Sequence, residues 1–131
     1  ANDRRGRVVD LIVNALGSST PMRFSGGEQE VLPLYVDDGV DAIFSAAGLL
    51  ASDARVGLTY GVAGPERVTV RQLASLIETQ AGSKANIEWG ALEYREHEVH
   101  QPFSLETLPG WAPKTGLASG VKSLLESRNI L

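Results

Sequence analysis

The sequence contains no cysteine among its 131 residues. This absence excludes a disulfide scaffold, a zinc site built on thiolates and a cysteine nucleophile. It is also typical of proteins that fold in a reducing compartment, so we expect the protein to be cytoplasmic.

Long apolar runs and an excess of basic residues are lacking too. No run approaches the roughly 18 apolar residues that a membrane-spanning helix needs. The basic start of the chain is not followed by the apolar segment and small-residue cleavage site of a signal peptide. The net charge of −4 gives no general attraction for nucleic acids or membrane surfaces. A ligand that carries phosphates would therefore need a local basic site.

The motif for binding a dinucleotide is incomplete. That motif is a glycine-rich turn between a strand and a helix, where the backbone approaches the pyrophosphate. Gly61 and Gly64 are the nearest match, but Arg67 stands where a further glycine is needed. The Gly-Lys-Ser/Thr of a phosphate-binding loop does not occur either. The sequence thus predicts no cofactor site in this chain.

The residue pairs that perform catalysis are lacking as well. In one large class of oxidoreductases, a lysine four residues after a tyrosine lowers the pKa of the phenol for proton transfer. The three tyrosines of this chain are followed at that spacing by Gly39, Gly64 and Glu98. No Gly-x-Ser-x-Gly motif for a serine nucleophile occurs. We therefore predict no catalytic residue.

One polar cluster has two interpretations. His97 and His100 lie three residues apart beside Glu96 and Glu98, which would suit a weak metal site if the segment were helical. The segment shows no helical stripe and ends at Pro102, which favours a solvated loop.

The sequence does contain an alternation of helical stripes and short apolar runs. These patterns predict helices over residues 8–16, 37–50, 69–82, 104–108 and 117–128, and strands over residues 21–24, 31–36, 58–62 and 86–89. Asp37 and Asp38 would complement a helix N-terminus rather than act as paired carboxylates. The buried face of that helix would consist of Val40, Ile43, Phe44, Ala47 and Leu50. The interleaving indicates an α/β or mixed α+β fold in a single domain of residues 1–131.

Several segments, in this order, resemble landmarks of one family. They are Ser25-Gly26-Gly27-Glu28-Gln29, Tyr35-Val36-Asp37-Asp38-Gly39-Val40-Asp41, Tyr60-Gly61-Val62-Ala63-Gly64-Pro65-Glu66, Thr69-Val70-Arg71-Gln72-Leu73, Tyr94-Arg95-Glu96-His97-Glu98 and Gly110-Trp111-Ala112-Pro113-Lys114-Thr115. Together they resemble the extended short-chain dehydrogenase/reductases, the nucleotide-sugar epimerases and dehydratases.

The resemblance implies the C-terminal, substrate-binding part of such an enzyme, without the glycine-rich Rossmann half. NAD or NADP would bind to that missing half and not to this chain. The chain alone would be catalytically incomplete, a fragment or truncated form. Its partners would be a nucleotide-diphosphate sugar or a related small molecule, the missing Rossmann half and, through uncovered apolar surface, further copies of itself. The alternative is a free-standing nucleotide- or sugar-binding module, or an oligomeric interaction module, without enzymatic activity.

The resemblance also implies substrate-binding residues. Arg95 matches the arginine that grips the nucleotide diphosphate, since a guanidinium fork suits phosphate oxygens. Glu98 matches the acidic position that accepts hydrogen bonds from ribose, and Met22, Arg23 and Phe24 match the strand beside the nucleobase. The alternatives are a solvated surface arginine for Arg95 and core packing for Met22 and Phe24.

One departure from the family pattern bears on the substrate. Many members have an arginine and an aspartate shortly before the Tyr-Val-Asp-Asp segment, where this chain has Val31 and Leu32. A second cation for the diphosphate is therefore absent, and a different sugar or carbonyl substrate is possible.

Overall fold

The computed structural model describes residues 7–53 and 57–131. In this part of the chain, four helices are interspersed with four two-residue strands. They are α1 (Val8–Ala15), β1 (Met22–Arg23), β2 (Glu30–Val31), α2 (Val36–Asp53), β3 (Val68–Thr69), α3 (Val70–Ala81), β4 (Ile87–Glu88) and α4 (Leu117–Ser127). The mixed fold class predicted from the sequence is confirmed, with shorter strands than the patterns predicted.

The chain divides into two compact units. The first unit is formed by Ala1–Val31, Val68–Gln101 and Val121–Leu131, and the second by Leu32–Arg67 and Pro102–Gly120. The first residues of α4 thus belong to the second unit and its later residues to the first.

The first unit combines α1 and α3 with two small sheets. β1 pairs in parallel with β4, and β2 pairs antiparallel with β3. The segment between β1 and β2 therefore connects strands of different sheets and does not form a hairpin. The most deeply buried side chains of this unit are apolar and come from α1, α3 and α4: Ile12, Leu73, Ile77 and Leu125.

Helix α3 begins and ends where the sequence predicts. The Thr69 hydroxyl accepts a hydrogen bond from the Gln72 N–H, and the Gln72 side chain accepts one from the Thr69 N–H. This capping box satisfies two N–H groups that have no partner inside the helix. Gly82 ends the helix in the left-handed conformation, with φ of 63°, which glycine adopts without steric cost.

The second unit is built around α2. Its buried cluster consists of Ala42, Leu108 and Trp111, against which Leu34, Ala46, Leu49 and Tyr60 pack. Gly64 lies against the backbone here, because a Cβ on it would overlap the carbonyl oxygen of Pro33. Only a residue without a side chain fits this close approach.

The face of α2 that the sequence predicts to be buried is exposed. Val40, Ile43, Phe44 and Leu50 retain 45%, 70%, 71% and 53% of their accessible surface. The opposite face, with Asp38, Ala42 and Leu49, packs into the second unit instead. The predicted apolar stripe exists, but α2 has apolar residues on two sides. The second unit covers the side with Ala42 and Leu49 and leaves the predicted stripe exposed.

Two further predictions in the second unit are wrong. The buried strand over residues 58–62 is reduced to one bridge between Gly61 and Thr107, and Leu58 and Val62 are exposed. The predicted helix over residues 104–108 is absent from the structure, because this segment is extended and its Glu106 carbonyl accepts the Gly61 N–H at 2.7 Å. No helix in the described ranges combines the length and apolarity needed to cross a membrane.

Candidate functional site

The candidate site begins at the loop of residues 25–29, which three side chains of the first unit hold in place. The Arg71 Nε donates to the Gly26 carbonyl at 2.5 Å, and its guanidinium lies 4.7 Å from the centre of the Trp89 ring and 3.2 Å from a Glu28 carboxylate oxygen. The Tyr94 hydroxyl accepts a hydrogen bond from the Glu28 N–H at 3.1 Å. This loop is therefore fixed from two sides.

The two glycines of the loop are required by these contacts. A Cβ on Gly26 would lie 2.6 Å from the Tyr94 hydroxyl, and one on Gly27 would lie 2.5 Å from the Trp89 ring. Gly27 also has φ of 77°, a conformation that L side chains rarely adopt. The pattern Gly26-Gly27 thus lets an aromatic ring on each side approach the backbone.

The segment from Tyr94 to His100 is anchored at both ends. Tyr94 binds the Glu28 N–H, and the His100 carbonyl accepts the Glu30 N–H at 2.9 Å. The two anchoring rings also contact each other edge to face, with their centres 4.9 Å apart. Between the anchors, a turn brings the Glu98 N–H to within 2.9 Å of the Arg95 carbonyl. Arg95 and Glu98 therefore lie on the tip of a loop with fixed ends.

The side chain of Arg95 is exposed. No described residue accepts a hydrogen bond from its guanidinium or forms an ion pair with it. With respect to the described part of the chain, its five N–H donors can therefore bind an external acceptor. Glu98 is half-buried, and its carboxylate likewise has no partner among the described residues.

The predicted residues of β1 lie next to the segment that leads to Arg95. The Leu92 N–H donates to the Phe24 carbonyl at 3.0 Å, and the Arg23 guanidinium donates to the Ala91 carbonyl at 2.6 Å. Phe24 is buried, with its ring centre 5.2 Å from that of Trp89. Packing thus accounts for the burial of Phe24, whereas Met22 is half-buried and the Arg23 side chain is exposed. The structure brings the end of β1 to residues 91–92, a few residues before Arg95.

The sequence did not predict how Arg71, Trp89 and Tyr94 brace the loop. Arg71 was recognised only as part of the landmark Thr69-Val70-Arg71-Gln72-Leu73, and its contact with Gly26 spans 45 residues of sequence. No local sequence pattern predicts a contact over this distance. Two features of the sequence are consistent with it: the paired glycines and the tyrosine directly before Arg95.

The histidine pair has no metal-binding arrangement in the structure. Within residues 7–53 and 57–131, no group of three or more His, Cys, Asp or Glu side chains could hold a metal ion. His100 instead contacts the Tyr94 ring.

The landmark segments of the second unit are joined through hydrogen bonds. Asp38, 4% exposed, accepts the Thr115 N–H at 2.9 Å, and the Glu66 carboxylate accepts the first N–H of α4, on Leu117, at 2.8 Å. Lys114 pairs with Asp41 at 2.5 Å. Asp38 therefore binds another segment rather than only complementing its own helix end. These residues join segments that are far apart in the sequence.

These contacts shift two pKa values. Burial alone would raise the pKa of Asp38, but hydrogen bonds from the backbone at Thr115 and Lys114 and from the Thr115 side chain outweigh it, so the pKa of Asp38 is lowered. The hydrogen bond with Asp41 raises the pKa of Lys114. Both shifts favour the charged forms that make the contacts.

The sequence and structure resemble nucleotide-sugar enzymes. The chain is 31% identical over 103 residues to CDP-abequose synthase from Yersinia pseudotuberculosis, a match that covers 77% of this chain and 35% of that protein. No protein-family profile matches the sequence.

Solved structures extend this likeness to nearly the whole chain. MoeE5, solved in complex with UDP-glucuronic acid and NAD, superposes with a TM-score of 0.81 at 20% identity, covering 98% of this chain and 43% of that one. The dTDP-glucose 4,6-dehydratase of Bacillus anthracis superposes with a TM-score of 0.71 at 20% identity, covering 94% of this chain and 39% of that one. The chain thus spans about a third of the curated relative and well under half of either solved structure.

Proposed function

We propose that this chain, which is similar to nucleotide-sugar enzymes in sequence and in structure, forms the substrate-binding part of an extended short-chain dehydrogenase/reductase, a nucleotide-sugar epimerase or dehydratase. Residues 1–131 would act as one domain that recognises a nucleotide-diphosphate sugar. The activity of the intact enzyme would be an epimerisation, dehydration or reduction of the sugar.

The observation that carries the proposal is Arg95 on an anchored loop, with a guanidinium that has no partner among residues 7–53 and 57–131. Its planar fork of donors matches the oxygens of a diphosphate, and charge-assisted bonds to phosphate are among the stronger hydrogen bonds in proteins. Because Tyr94 fixes the loop to the backbone of Glu28, little ordering of the loop is needed on binding. Arg95 is therefore the residue that we assign to the diphosphate.

The neighbouring residues have complementary roles in this proposal. Glu98, whose carboxylate is unengaged among the described residues, accepts hydrogen bonds from the ribose hydroxyls. Met22 and Arg23 border the nucleobase on the side of β1. Phe24, buried against Trp89, supports this strand from below rather than contacting the base.

The catalytic groups belong to another part of the enzyme in this proposal. NAD or NADP and the catalytic tyrosine–lysine pair would be supplied by a cofactor-binding half, because no tyrosine of this chain has a lysine four residues later. The intact enzyme would work in the cytoplasm, where nucleotide sugars and a reducing environment suit a chain without cysteine.

The diphosphate contact rests on fewer cations than usual for the family. Val31 occupies β2 and pairs with Val68, so its position offers no charge to the ligand. Removal of Arg95 should therefore abolish most of the diphosphate recognition. A charge-assisted hydrogen bond contributes about 1.5–3 kcal/mol, which corresponds to roughly 10- to 150-fold in affinity.

Calorimetric titration with nucleotide-diphosphate sugars, such as UDP-glucuronic acid, tests the proposal. Arg95→Ala should weaken binding by that factor, and Arg95→Lys should recover only part of it because an ammonium lacks the planar fork. Lys122→Ala removes an exposed cation of α4 and serves as the control for net charge. Equal affinity of the wild type and Arg95→Ala would refute the role of Arg95.

A further inference from the structure

The loop of residues 25–29 is docked on the start of α3. The first two residues of α3 supply three donors to its carbonyl groups: the Val70 N–H to Gln29 at 3.1 Å, the Arg71 N–H to Gly27 at 3.2 Å and the Arg71 Nε to Gly26 at 2.5 Å. The two backbone N–H groups belong to the first turn of the helix and have no acceptor inside it. The loop therefore completes the end of α3, and α3 holds the loop.

The Arg71 side chain adds contacts that the backbone of α3 cannot make. Its guanidinium lies 4.7 Å from the centre of the Trp89 ring, and its Nε lies 3.2 Å from a carboxylate oxygen of Glu28. Because the carboxylate of Glu28 neutralises its charge, Arg71 is paired within the loop and not presented as a cation for a phosphate. Arg71 thus joins the loop to the residue that follows β4.

Gly26 is the point where the contact of Arg71 meets Tyr94. A Cβ on Gly26 would lie 2.6 Å from the Tyr94 hydroxyl oxygen, so the residue whose carbonyl binds Arg71 also lies against the phenol. Two residues further along the loop, the Glu28 N–H donates to the same hydroxyl at 3.1 Å. Tyr94 directly precedes Arg95. An unbroken series of contacts therefore connects the Arg71 guanidinium with the backbone of Arg95.

We propose that Arg71 is a positioning residue for Arg95, and this inference rests on the function proposed above. The Arg71 guanidinium holds Gly26 against the Tyr94 hydroxyl and does not itself contact the diphosphate. A segment that is held in place before binding loses less conformational freedom when its arginine meets the ligand. Arg71 therefore raises the affinity for the diphosphate only through Arg95.

A double-mutant cycle in the full-length protein tests this role, with UDP-glucuronic acid as the ligand and its affinity as the readout. Arg71→Ala should weaken binding about 3- to 10-fold, the effect of losing one hydrogen bond that orders the site. In the Arg95→Ala background the same substitution should have no further effect, because the two residues act as one unit. Arg128→Ala removes an arginine of the same unit that pairs with Asp10, and as the control it should leave the affinity unchanged.

Hydrogen exchange shows whether the effect passes through the loop. In Arg71→Ala the amides of residues 25–30 and of residues 94–100 should both exchange faster, whereas those of residues 73–80 within α3 should not change. A merely structural role of Arg71 would instead speed exchange in α3 as well. Arg71→Lys keeps the charge but lacks the planar fork that reaches the Gly26 carbonyl and the Trp89 ring together, so it should recover only part of the affinity. It also carries the cycle if Arg71→Ala does not fold.

Three results overturn the inference. They are an affinity of Arg71→Ala equal to that of the wild type, an equal loss of affinity with and without Arg95, and faster exchange that is confined to residues 25–30. An equal loss in both backgrounds would assign Arg71 a direct contact with the ligand. Binding that requires Arg95 and does not respond to Arg71 refutes the positioning role alone. Absence of binding by the wild type refutes the proposed function.

Discussion

At the residue scale, the proposed function depends on contacts that hold the loop of Arg95 in place. Arg95 was predicted from its place in a motif, but nothing in the sequence explains why its loop should have a fixed position. The structure supplies a reason in Tyr94, whose hydroxyl binds the Glu28 N–H, and in Gly26, which leaves room for that ring. A single arginine can be recognised from a pattern, whereas the brace behind it depends on residues more than sixty positions apart.

Two glycines of the second unit should respond oppositely to replacement by alanine. Gly64→Ala places a Cβ on the carbonyl oxygen of Pro33, and such overpacking costs about 1–3 kcal/mol. Gly48→Ala lies within α2 with no atom near its Cβ, so the higher helix propensity of alanine should stabilise the protein by about 0.5–1 kcal/mol. Urea unfolding monitored by circular dichroism measures both. Equal stability of the two variants would contradict the close approach at Gly64.

The Asp38 carboxylate should make stability depend on acid. Burial would raise its pKa, but the hydrogen bonds from Thr115 and Lys114 lower it below the ordinary value of 3.8. A lowered pKa gives stability that is fully present above the unfolded value and is lost as pH falls through the folded value. Unfolding free energies measured from pH 6 down to pH 2 should therefore decline, and Asp38→Asn should flatten that decline while lowering stability at pH 6.

The exposed neighbour Asp37 provides the control for this titration. Asp37→Asn removes a carboxylate from the same turn of α2 without touching the bond to Thr115. The decline of its unfolding free energy between pH 6 and pH 2 should match that of the wild type. If Asp38→Asn and the control show the same decline, the bond between Asp38 and Thr115 does not stabilise the fold.

At the element scale, the sequence predicted helices better than strands. Helix α3 is specified locally, because Thr69, Gln72 and Gly82 set its two ends. The strands have only two residues each, and their pairing depends on partners far along the chain, such as Ile87 for Met22. A period-2 pattern cannot be read from two residues. Of the strand predicted over residues 31–36, only Val31 lies in β2, and residues 32–35 have no regular secondary structure before α2 begins.

The sequence pattern of α2 does not determine which of its two apolar sides is buried. Two neighbouring leucines lie on opposite sides: Leu49 packs against the cluster of Ala42 and Trp111, and Leu50 is exposed. In the 131-residue chain, Leu49→Ala should cost about 2 kcal/mol, at the lower end of the range for buried leucines because Leu49 is only half-buried. Leu50→Ala should stay within about 0.5 kcal/mol of the wild type.

Urea unfolding of this pair of variants distinguishes the two faces of α2. The two substitutions remove the same atoms from adjacent positions of one helix, so propensity cancels between them. A larger loss of unfolding free energy for Leu50→Ala than for Leu49→Ala would show that the side of α2 with Leu50 is already covered within the isolated chain.

At the scale of the whole molecule, the order of the landmarks acquires a physical meaning. The segments that were recognised in sequence are joined in space: Asp38 to Thr115, Asp41 to Lys114 and Glu66 to Leu117 in the second unit, and Glu28 to Tyr94 in the first. Each link is a hydrogen bond between distant segments, so the motifs mark positions where long-range contacts stabilise the fold. This is why their order predicted the fold.

The isolated 131-residue chain should self-associate through the exposed apolar face of α2, which carries Val40, Ile43, Phe44 and Leu50. Burial of apolar surface contributes about 25 cal/mol per Å², and the exposed Ile43 and Phe44 offer that gain to a second copy of the chain. The weight-average mass from light scattering should therefore rise with concentration. Because the face has no charge, association should persist at 1 M salt, where ion pairs are screened, and should weaken on cooling.

Phe44→Glu should keep the mass near that of one chain, since a carboxylate at the centre of the face would be buried without a partner. Val99→Glu adds the same charge at an exposed position of the first unit and should leave association unchanged. A monomeric mass for the wild type at high concentration would contradict this prediction. Loss of association in both variants would instead assign it to net charge.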